Sequence, residues 1–149
     1  MTAAKKMTRF TAPPEAASWT GPVLVRGWLR VRRPWAHPIQ AIVLLRKWMR
    51  VRRALDTAPG FLYFEYWQRL EQLLFGMHVG WSNQQELAAF DDDATHRDIA
   101  GWAIRSTLVV AMKLETLAVL PDNRLVRLGG FSMSVPGDDL PTDTLFASR

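Results

Sequence analysis

The chain has no cysteine among its 149 residues. Disulfides, zinc–thiolate sites, iron–sulfur clusters and cysteine nucleophiles are therefore excluded. It also lacks any run near the roughly 18 to 20 apolar residues that span a bilayer, and no apolar stretch follows its first lysines. We therefore expect a cytoplasmic protein without a secretory signal. The length suits one domain with a core of its own.

Acidic residues are missing between Ala16 and Leu55, although this interval is rich in cations. The cations are Arg26, Arg30, Arg32, Arg33, Arg46, Lys47, Arg50, Arg52 and Arg53. Such a block can meet nucleic acid, an anionic lipid surface or an anionic small molecule. A solvated helix face together with charges on a strand gives the same pattern, so both interpretations stay open.

Two catalytic signatures are also missing. The chain has no G-x-S-x-G sequence of a serine hydrolase and no glycine-rich phosphate loop. Aromatic side chains, by contrast, are abundant, with seven tryptophans. Indole rings need a core, a partner surface or a flat ligand to cover them.

The hydrophobic periodicity predicts an α+β domain over residues 21–131, with elements in the order β-α-β-β-α-β and a further strand after them. A flexible arm over 1–20 precedes this domain, and a polar tail over 132–149 follows it. The predicted strands contain "VLVRGWLRV", "FLYFEYWQR", "LLFGMHVGW" and "RLVRLGGFSM". Residues 107–120 alternate as a strand does, although a continued helix is the rival interpretation.

The segment "HPIQAIVLLRKWMRVRRALDTAPG" predicts a helix with one broad apolar arc that faces the core. This arc consists of Ala41, Leu44, Leu45, Trp48, Met49, Val51 and Leu55. The opposite side carries Arg46, Lys47, Arg50 and Arg53. After the helix, two aromatic-rich strands joined by a short connection predict a hairpin. Neither strand has a polar face, so we expect both faces of the hairpin to be covered.

His78 lies between two glycines on the second strand of this hairpin. Glycines at these positions either leave open space around the imidazole or allow another element to approach closely. Further along, Ser82 and Gln85 form a predicted capping box at a helix start. The run 91–93 of aspartates then breaks the helix, and His96 opens a second helix that directs it inward or along a pocket wall.

Two local patterns and the order of the elements resemble the antibiotic-biosynthesis monooxygenase type of dimeric α+β barrel. The patterns are "RRALDTAPGFLYFEYW" and "VGWSNQQELAAFDDDATHRDI", and the matching elements cover roughly residues 22–120. The resemblance implies a ferredoxin-like antiparallel sheet with helices on one face, which pairs with a second copy as a homodimer. It also implies an apolar pocket between the sheet and the helices of each subunit.

For function, the resemblance implies an oxidoreductase of secondary metabolism such as antibiotic biosynthesis. We expect a monooxygenase that acts on an aromatic or polycyclic small molecule without a cofactor, with isomerase and cyclase chemistry left open. Such an enzyme needs a base that forms an electron-rich anion of the substrate. An imidazole, with an ordinary pKa of about 6.5, suits that role at neutral pH.

His96 and His78 are the candidate bases. The candidate substrate-binding residues are Trp28, Trp67 and Trp81 as flat walls, Tyr63 and Tyr66 as hydrogen-bond partners, and Arg26 and Arg30 as cations. Purely structural roles compete with these assignments. His96 would then be a helix-start residue hydrogen-bonded to Asp92 or Asp93, and His78 would be a satisfied core residue.

Three alternatives use the same residues differently. In a heme protein of this fold, one histidine ligates iron, the tryptophans cover the macrocycle, and Arg26 or Arg30 pairs with the propionates. The segment "AAFDDDAT" between Trp81 and His96 departs from the pattern of the heme-degrading relatives. The aspartate run together with His96 suggests a metal site, although solvated helix caps explain it as well. Finally, "RGWLRVRRPW" interleaves cations with aromatics, as a non-enzymatic nucleic-acid binding module does.

Overall fold

The computed structural model describes residues 4–138, which form six strands and three α-helices. The strands are β1 (Lys6–Phe10), β2 (Val23–Val31), β3 (Phe61–Arg69), β4 (Leu74–Trp81), β5 (Val109–Val119) and β6 (Leu125–Ser134). The helices are α1 (Pro38–Asp56), α2 (Gln84–Asp91) and α3 (Ala94–Arg105). The predicted β-α-β-β-α-β order is confirmed from β2 onward, and residues 109–119 are a strand.

The strands form one antiparallel sheet in the order β1-β6-β5-β2-β4-β3. Successive side chains of a strand point to opposite faces, so each strand offers one set to the helices. On the helix-covered face, Val51 and Leu55 of α1 pack in one cluster with Val23 of β2 and Val79 of β4. The α+β ferredoxin-like fold predicted from the sequence is thus confirmed.

The far face of the sheet, opposite the helices, is not uniformly polar. Trp28, Leu74 and Ala111 form a small buried cluster there, and Trp67 packs against it. These residues lie on β2, β4, β5 and β3 respectively, in register across the sheet. The far face therefore has an apolar centre of its own in addition to the main core.

The N-terminal segment corrects the prediction of a flexible arm over residues 1–20. Residues 6–10 form β1, which pairs antiparallel with β6 along the edge of the sheet. Lys5 Nζ donates hydrogen bonds to the carbonyl oxygens of Ala103 and Ser106, at 2.9 and 2.6 Å. The strand escaped prediction because all five of its residues are exposed, so no hydrophobic alternation marks it.

Helix α1 corrects the predicted apolar arc. Val51 and Leu55 are buried as expected, but Leu45 and Met49 are exposed. Both lie at the margin of the arc, where the helix surface turns away from the sheet. On the cationic side, Lys47 is half-buried and pairs with Asp98 of α3 instead of facing solvent.

The β3–β4 hairpin forms as predicted, but its faces are not both covered within the chain. β3 is an edge strand, and Leu62, Tyr63 and Tyr66 are 44% to 55% exposed. The connection is tight because Leu73 adopts a left-handed conformation with φ of 50°. Whatever covers β3 must therefore come from outside residues 4–138.

Helices α2 and α3 meet at the aspartate run, as predicted, but the cap of α2 differs by one residue. Asn83, not Ser82, is the N-cap, and its side-chain oxygen accepts a hydrogen bond of 2.9 Å from the Glu86 amide. Asp93 caps α3 through the Thr95 amide. Asparagine satisfies an N-terminal amide as well as serine does, so both residues fit the sequence pattern.

The predicted polar tail begins inside a strand, because β6 continues to Ser134. Val135 is still buried, and its amide donates to the Val110 carbonyl. The rest of the tail, residues 139–149, lies outside the described residues. No helix in the described part of the chain has the length and apolarity required to cross a bilayer.

Candidate functional site

The residues predicted to form one site lie on two opposite faces of the sheet. Trp28 pairs with Gly76, whereas Trp81 pairs with Val23 and Phe61. Residues 76 and 81 of β4 differ by an odd number, so their side chains point to opposite faces. Trp28 and Trp81 therefore cannot be two walls of one pocket, which corrects the predicted arrangement.

On the far face, charged and titratable side chains form a row across four strands. Glu65 of β3 pairs with His78 of β4, His78 pairs with Arg26 of β2, and Arg26 pairs with Glu115 of β5. Each pair is in direct register, so neighbouring side chains of the row can interact across the strands. Sequence patterns could not locate this row, because it depends on pairings between distant segments.

Two aromatic rings lie over the glycines on either side of His78. A Cβ added to Gly76 would overlap the Trp67 ring, and one added to Gly80 would overlap the Tyr63 ring. Of the two roles predicted for these glycines, close approach by another element is therefore the one that the structure shows. Tyr63 and Trp67 frame His78 along the strand direction.

His78 is itself placed like a base with a carboxylate behind it. Its Nδ1 lies 3.5 Å from a carboxylate oxygen of Glu65, and its side chain is 31% exposed. Its Nε2 is buried and has no hydrogen-bond partner within residues 4–138. A buried polar atom without a partner is uncommon and calls for an explanation, of which a catalytic role is one.

The next member of the row, Glu115, is held by three cations. Its carboxylate accepts hydrogen bonds from Arg26 and Arg127 and lies 3.3 Å from Lys113 Nζ. Glu115 is only 3% exposed, and burial by itself would raise its pKa. The Arg26 hydrogen bond and the three positive charges outweigh burial, so its pKa lies below the ordinary value.

This arrangement changes what Arg26 offers to a ligand. Its guanidinium donates two hydrogen bonds to Glu115. Arg26 is therefore already paired within the chain, whereas the prediction has it pair with a substrate or a heme propionate. Arg30 lies further along β2 on the same far face and lines a groove with Arg32 and Arg33. The two predicted cations thus have different surroundings.

The two candidate tyrosines, Tyr63 and Tyr66, lie on opposite faces of the sheet. Tyr63 lies on the far face, and its pKa is raised by burial and then by the nearby Glu65 carboxylate. Tyr66 pairs with Met77, whose side chain packs against the main core, and its hydroxyl donates to Gln68 at 2.8 Å. Burial raises the pKa of Tyr66 as well. Only Tyr63 belongs to the cluster around His78.

On the helix-covered face, His96 and Trp81 are separated by Phe90. The ring centroids of Trp81 and Phe90 are 5.1 Å apart, and those of Phe90 and His96 are 5.3 Å apart. Trp81 is 1% exposed, so this stack is part of the core. Phe90 of α2 thus fills the space between the two candidates.

His96 interacts with Asp91, not with Asp92 or Asp93 as predicted. Its Nδ1 lies 3.4 Å from the Asp91 carbonyl oxygen and 3.6 Å from a carboxylate oxygen of the same residue. Burial raises the pKa of Asp91, and the nearby His96 partly opposes this effect. Asp93 is occupied by capping α3 instead.

Aromatic side chains pack in the space between sheet and helices, where the resemblance implies an apolar pocket. Trp48 packs on Phe64 there, beside the Trp81–Phe90 stack. On this side of residues 4–138 there is an open groove of about 270 Å³. It runs between the end of α1 and α2, and Phe90 forms part of its wall. Access to the aromatic stack would require Phe90 to move.

The metal alternative finds little support in the arrangement of donors. In the part of the chain that the structure describes, no group of three or more His, Asp or Glu side chains is close enough to hold an ion. His96 is near Asp91 alone, because Asp92 lies beside Arg97. The aspartate run therefore behaves as the helix break and cap that its position indicates.

Comparisons with known proteins identify solved structures of the same architecture. A proposed antibiotic biosynthesis monooxygenase from Caulobacter crescentus aligns over 71% of this chain and 96% of its own, with a TM-score of 0.57 and 17% identity. One from Nitrosomonas europaea aligns over 71% and 97%, with a TM-score of 0.54 and 10% identity.

A third similar structure is a point mutant of SnoaB, a cofactor-independent oxygenase from Streptomyces nogalater. It aligns over 66% of this chain and 92% of its own, with a TM-score of 0.51 and 12% identity. No family model matches the chain, and no curated protein matches its sequence. At these identities the likeness concerns the fold, and the chain has the ferredoxin-like α+β fold of the antibiotic-biosynthesis monooxygenase structures.

Proposed function

We propose that the protein is a cofactor-independent monooxygenase of a hydrophobic aromatic small molecule, and that His78 is its base. The observation that carries the proposal is the unpartnered, buried Nε2 of His78, with Glu65 at its Nδ1 and aromatic rings on both sides. A base that is oriented by a carboxylate is a recurring catalytic arrangement. The similarity in fold to a cofactor-independent oxygenase is consistent with this chemistry.

The proposed reaction converts a phenol into a quinone. His78 accepts the phenolic proton at Nε2, which is buried in this structure and becomes accessible when the neighbouring side chains move to admit the substrate. The resulting anion is electron-rich enough to react with dioxygen. A ring C–H para to the hydroxyl becomes the second carbonyl, one oxygen atom enters the product, and the other leaves as water. The substrate supplies all the electrons, so no external reductant is required.

Trp67 and Tyr63 provide the flat surfaces for such a substrate. Their rings lie over Gly76 and Gly80, so each keeps a face or an edge directed away from the sheet. Tyr63 can also hydrogen-bond a phenol or carbonyl oxygen of the substrate. Trp28, buried in the adjoining apolar cluster, extends the hydrophobic surface on the next strand.

A second copy of the chain would complete the site by excluding water. The far face carries an apolar centre, and Tyr63 of β3 is exposed on the same face. Packing of two far faces against each other would bury this surface and dry the surroundings of His78. Reaction of a carbanion-like intermediate with oxygen is favoured in such an environment, since water can no longer reprotonate it. We therefore propose a homodimer.

Oxygen uptake with a naphthol probe tests the chemistry. His78→Ala should lower the rate by about 100-fold or more, as expected for loss of a general base. Glu65→Gln should cause a smaller loss and shift the pH profile, because it changes the group that orients the imidazole. His96→Ala is the matched control and should retain most activity, since His96 packs against Phe90 and Asp91.

The same experiment distinguishes His78 from His96 as the base. If His96→Ala abolishes oxygen uptake and His78→Ala does not, the base lies on the helix-covered face and our assignment is wrong. If both variants keep full activity, the general-base mechanism itself fails. Hemin titration addresses the heme alternative separately, because a sharp Soret band lost in either histidine variant would replace the cofactor-independent proposal.

A further inference from the structure

Helix α1 presents an apolar stripe that the rest of the described fold leaves in solvent. Ile39, Ile42, Leu45 and Met49 are spaced by three, three and four residues, so they share one broad side of the helix, within about 120° of its surface. Their exposed fractions range from 46% to 77%. Trp35, which shortly precedes the helix, is 70% exposed. Apolar residues that are clustered in this way, rather than scattered, indicate an interaction surface.

A cationic stripe runs beside the apolar one. Arg46, Arg50 and Arg53 follow each other by four and three residues and are all exposed. Within residues 4–138 none of the three has an ion pair, because the nearby acids are already used. Asp56 pairs with Arg52, and Asp98 pairs with Lys47.

The positive charge continues past the start of α1. A groove of about 500 Å³ lies there, between the end of β2 and the turn into the helix. Arg32, Arg33 and His37 are among the residues that line it. This groove therefore extends the positive charge of the exposed arginines of α1 beyond the start of the helix.

We propose that this face of α1 docks on an anionic lipid surface. The apolar stripe would lie in the boundary between headgroups and acyl chains, and the arginines would pair with lipid phosphates. An amphipathic helix with Trp and Leu or Ile on one strip and arginine on the next is typical of such interfacial binding. The helix would lie along the membrane, since no described helix can cross one.

Other occupants fit this face less well. A two-fold interface would place the face against its own copy, so the unpaired Arg46, Arg50 and Arg53 of one chain would face the same arginines of the other. Nucleic acid would neutralise these cations but would leave Leu45 and Met49 without an apolar partner. A lipid surface satisfies both stripes at once.

Flotation with vesicles tests the proposal on the full chain. Vesicles of phosphatidylcholine with phosphatidylglycerol should bind the protein, and added salt should weaken binding. Vesicles of phosphatidylcholine alone should bind poorly. Arg46→Gln and Arg50→Gln should each weaken binding by about fivefold, the value of one cation near an anionic bilayer. Arg9→Gln, an exposed cation on β1, is the matched control and should have no effect.

The contribution of the apolar residues to vesicle binding can be tested with a leucine of equal exposure as the control. Leu45 and Leu70 are both 59% exposed, but Leu70 lies at the β3–β4 connection, away from α1. Leu45→Gln should weaken vesicle binding severalfold, whereas Leu70→Gln should not. Brominated lipid should also quench the fluorescence of Trp35 when the native protein is bound to vesicles. The Trp35→Phe variant, which lacks this indole, should show correspondingly less quenching. Circular dichroism checks that each variant is folded.

Three results would overturn the proposal. The first is absence of binding to anionic vesicles, or equal losses in the α1 variants and in their controls. The second is tight binding to heparin or DNA that the Arg46 and Arg50 variants lose while vesicle binding is unchanged. The third is a fall in oligomeric mass on Leu45→Gln, which would assign the stripe to contacts between copies.

Discussion

Arg26 donates two hydrogen bonds to a single carboxylate oxygen of Glu115, at 2.8 and 3.2 Å, between neighbouring central strands. The other oxygen of Glu115 meets Arg127 and Lys113. A carboxylate that is 3% exposed and surrounded in this way keeps three like charges together on one sheet. Removal of its charge leaves cations that repel each other in a partly desolvated place.

We therefore expect Glu115→Gln to lower the free energy of unfolding by about 2 kcal/mol at neutral pH. The folded pKa of Glu115 lies below the unfolded value, so its contribution is present above the unfolded pKa and disappears as pH falls through the folded one. Urea unfolding between about pH 7 and pH 3 should show a smaller loss of stability in the variant than in the native chain. Glu71→Gln, at an exposed position, should retain the native pH dependence.

The Tyr63 ring lies so close to Gly80 that it leaves no room for a Cβ atom at this position. We expect Gly80→Ala to lower the free energy of unfolding by about 1 to 3 kcal/mol, because the added methyl group forces the ring off the sheet. Gly129 is a matched control, since a Cβ there meets nothing within 4 Å and its φ is not positive. Urea unfolding of both variants measures the difference, and equal losses would show that the ring is not held against Gly80.

Phe90 separates Trp81 from His96, so its removal should open the space between them. Phe90→Ala should lower the free energy of unfolding by about 3 kcal/mol, a value typical of a phenylalanine in a core. The cavity should also bind a small aromatic probe such as naphthalene, seen as a change in tryptophan emission. Phe10→Ala, at the exposed edge strand, should do neither. A variant that loses little stability and gains no binding would mean that the neighbours collapse into the space.

The proposed homodimer should have twice the mass of the 149-residue chain in light scattering. Tyr63→Lys places a charge on the far face and should shift the protein towards the monomer. Val126→Lys, on β6, is a control of similar exposure, 40% against 44%, because Val126 pairs with Ala118 of the main core and so lies on the opposite face of the sheet. A native protein that stays monomeric at high concentration would count against pairing of the far faces.

Most of the fold could be predicted because its strands and helices carry strong periodic signals. In β2, Arg26 and Arg30 share one face with Trp28 while the opposite face carries no charge, so the helix-covered face can be predicted from the sequence. β1 gives no such signal, because Lys6 to Phe10 are all exposed and the strand exists through its pairing with β6. Local periodicity cannot reveal an element that depends on a distant partner.

The candidate site was harder to predict from the sequence for the same reason. The residue types around His78 were recognised, but their grouping depends on the register between β2, β3 and β4. The register places His78 with Tyr63 and Trp67, and it places Trp81 on the other face. The position of Phe90 between Trp81 and His96 likewise depends on how α2 and α3 pack together.

The pairing of β1 with β6 also affects the order in which the sheet can form during translation. Of the six strands, β1 leaves the ribosome first, yet its neighbour in the described sheet is β6, the last of them to emerge. Contacts that close such a long stretch of chain form slowly. During translation β1 therefore cannot form this pairing until β6 has been made. We expect its docking, with Lys5 on the end of α3, to be a late step of folding.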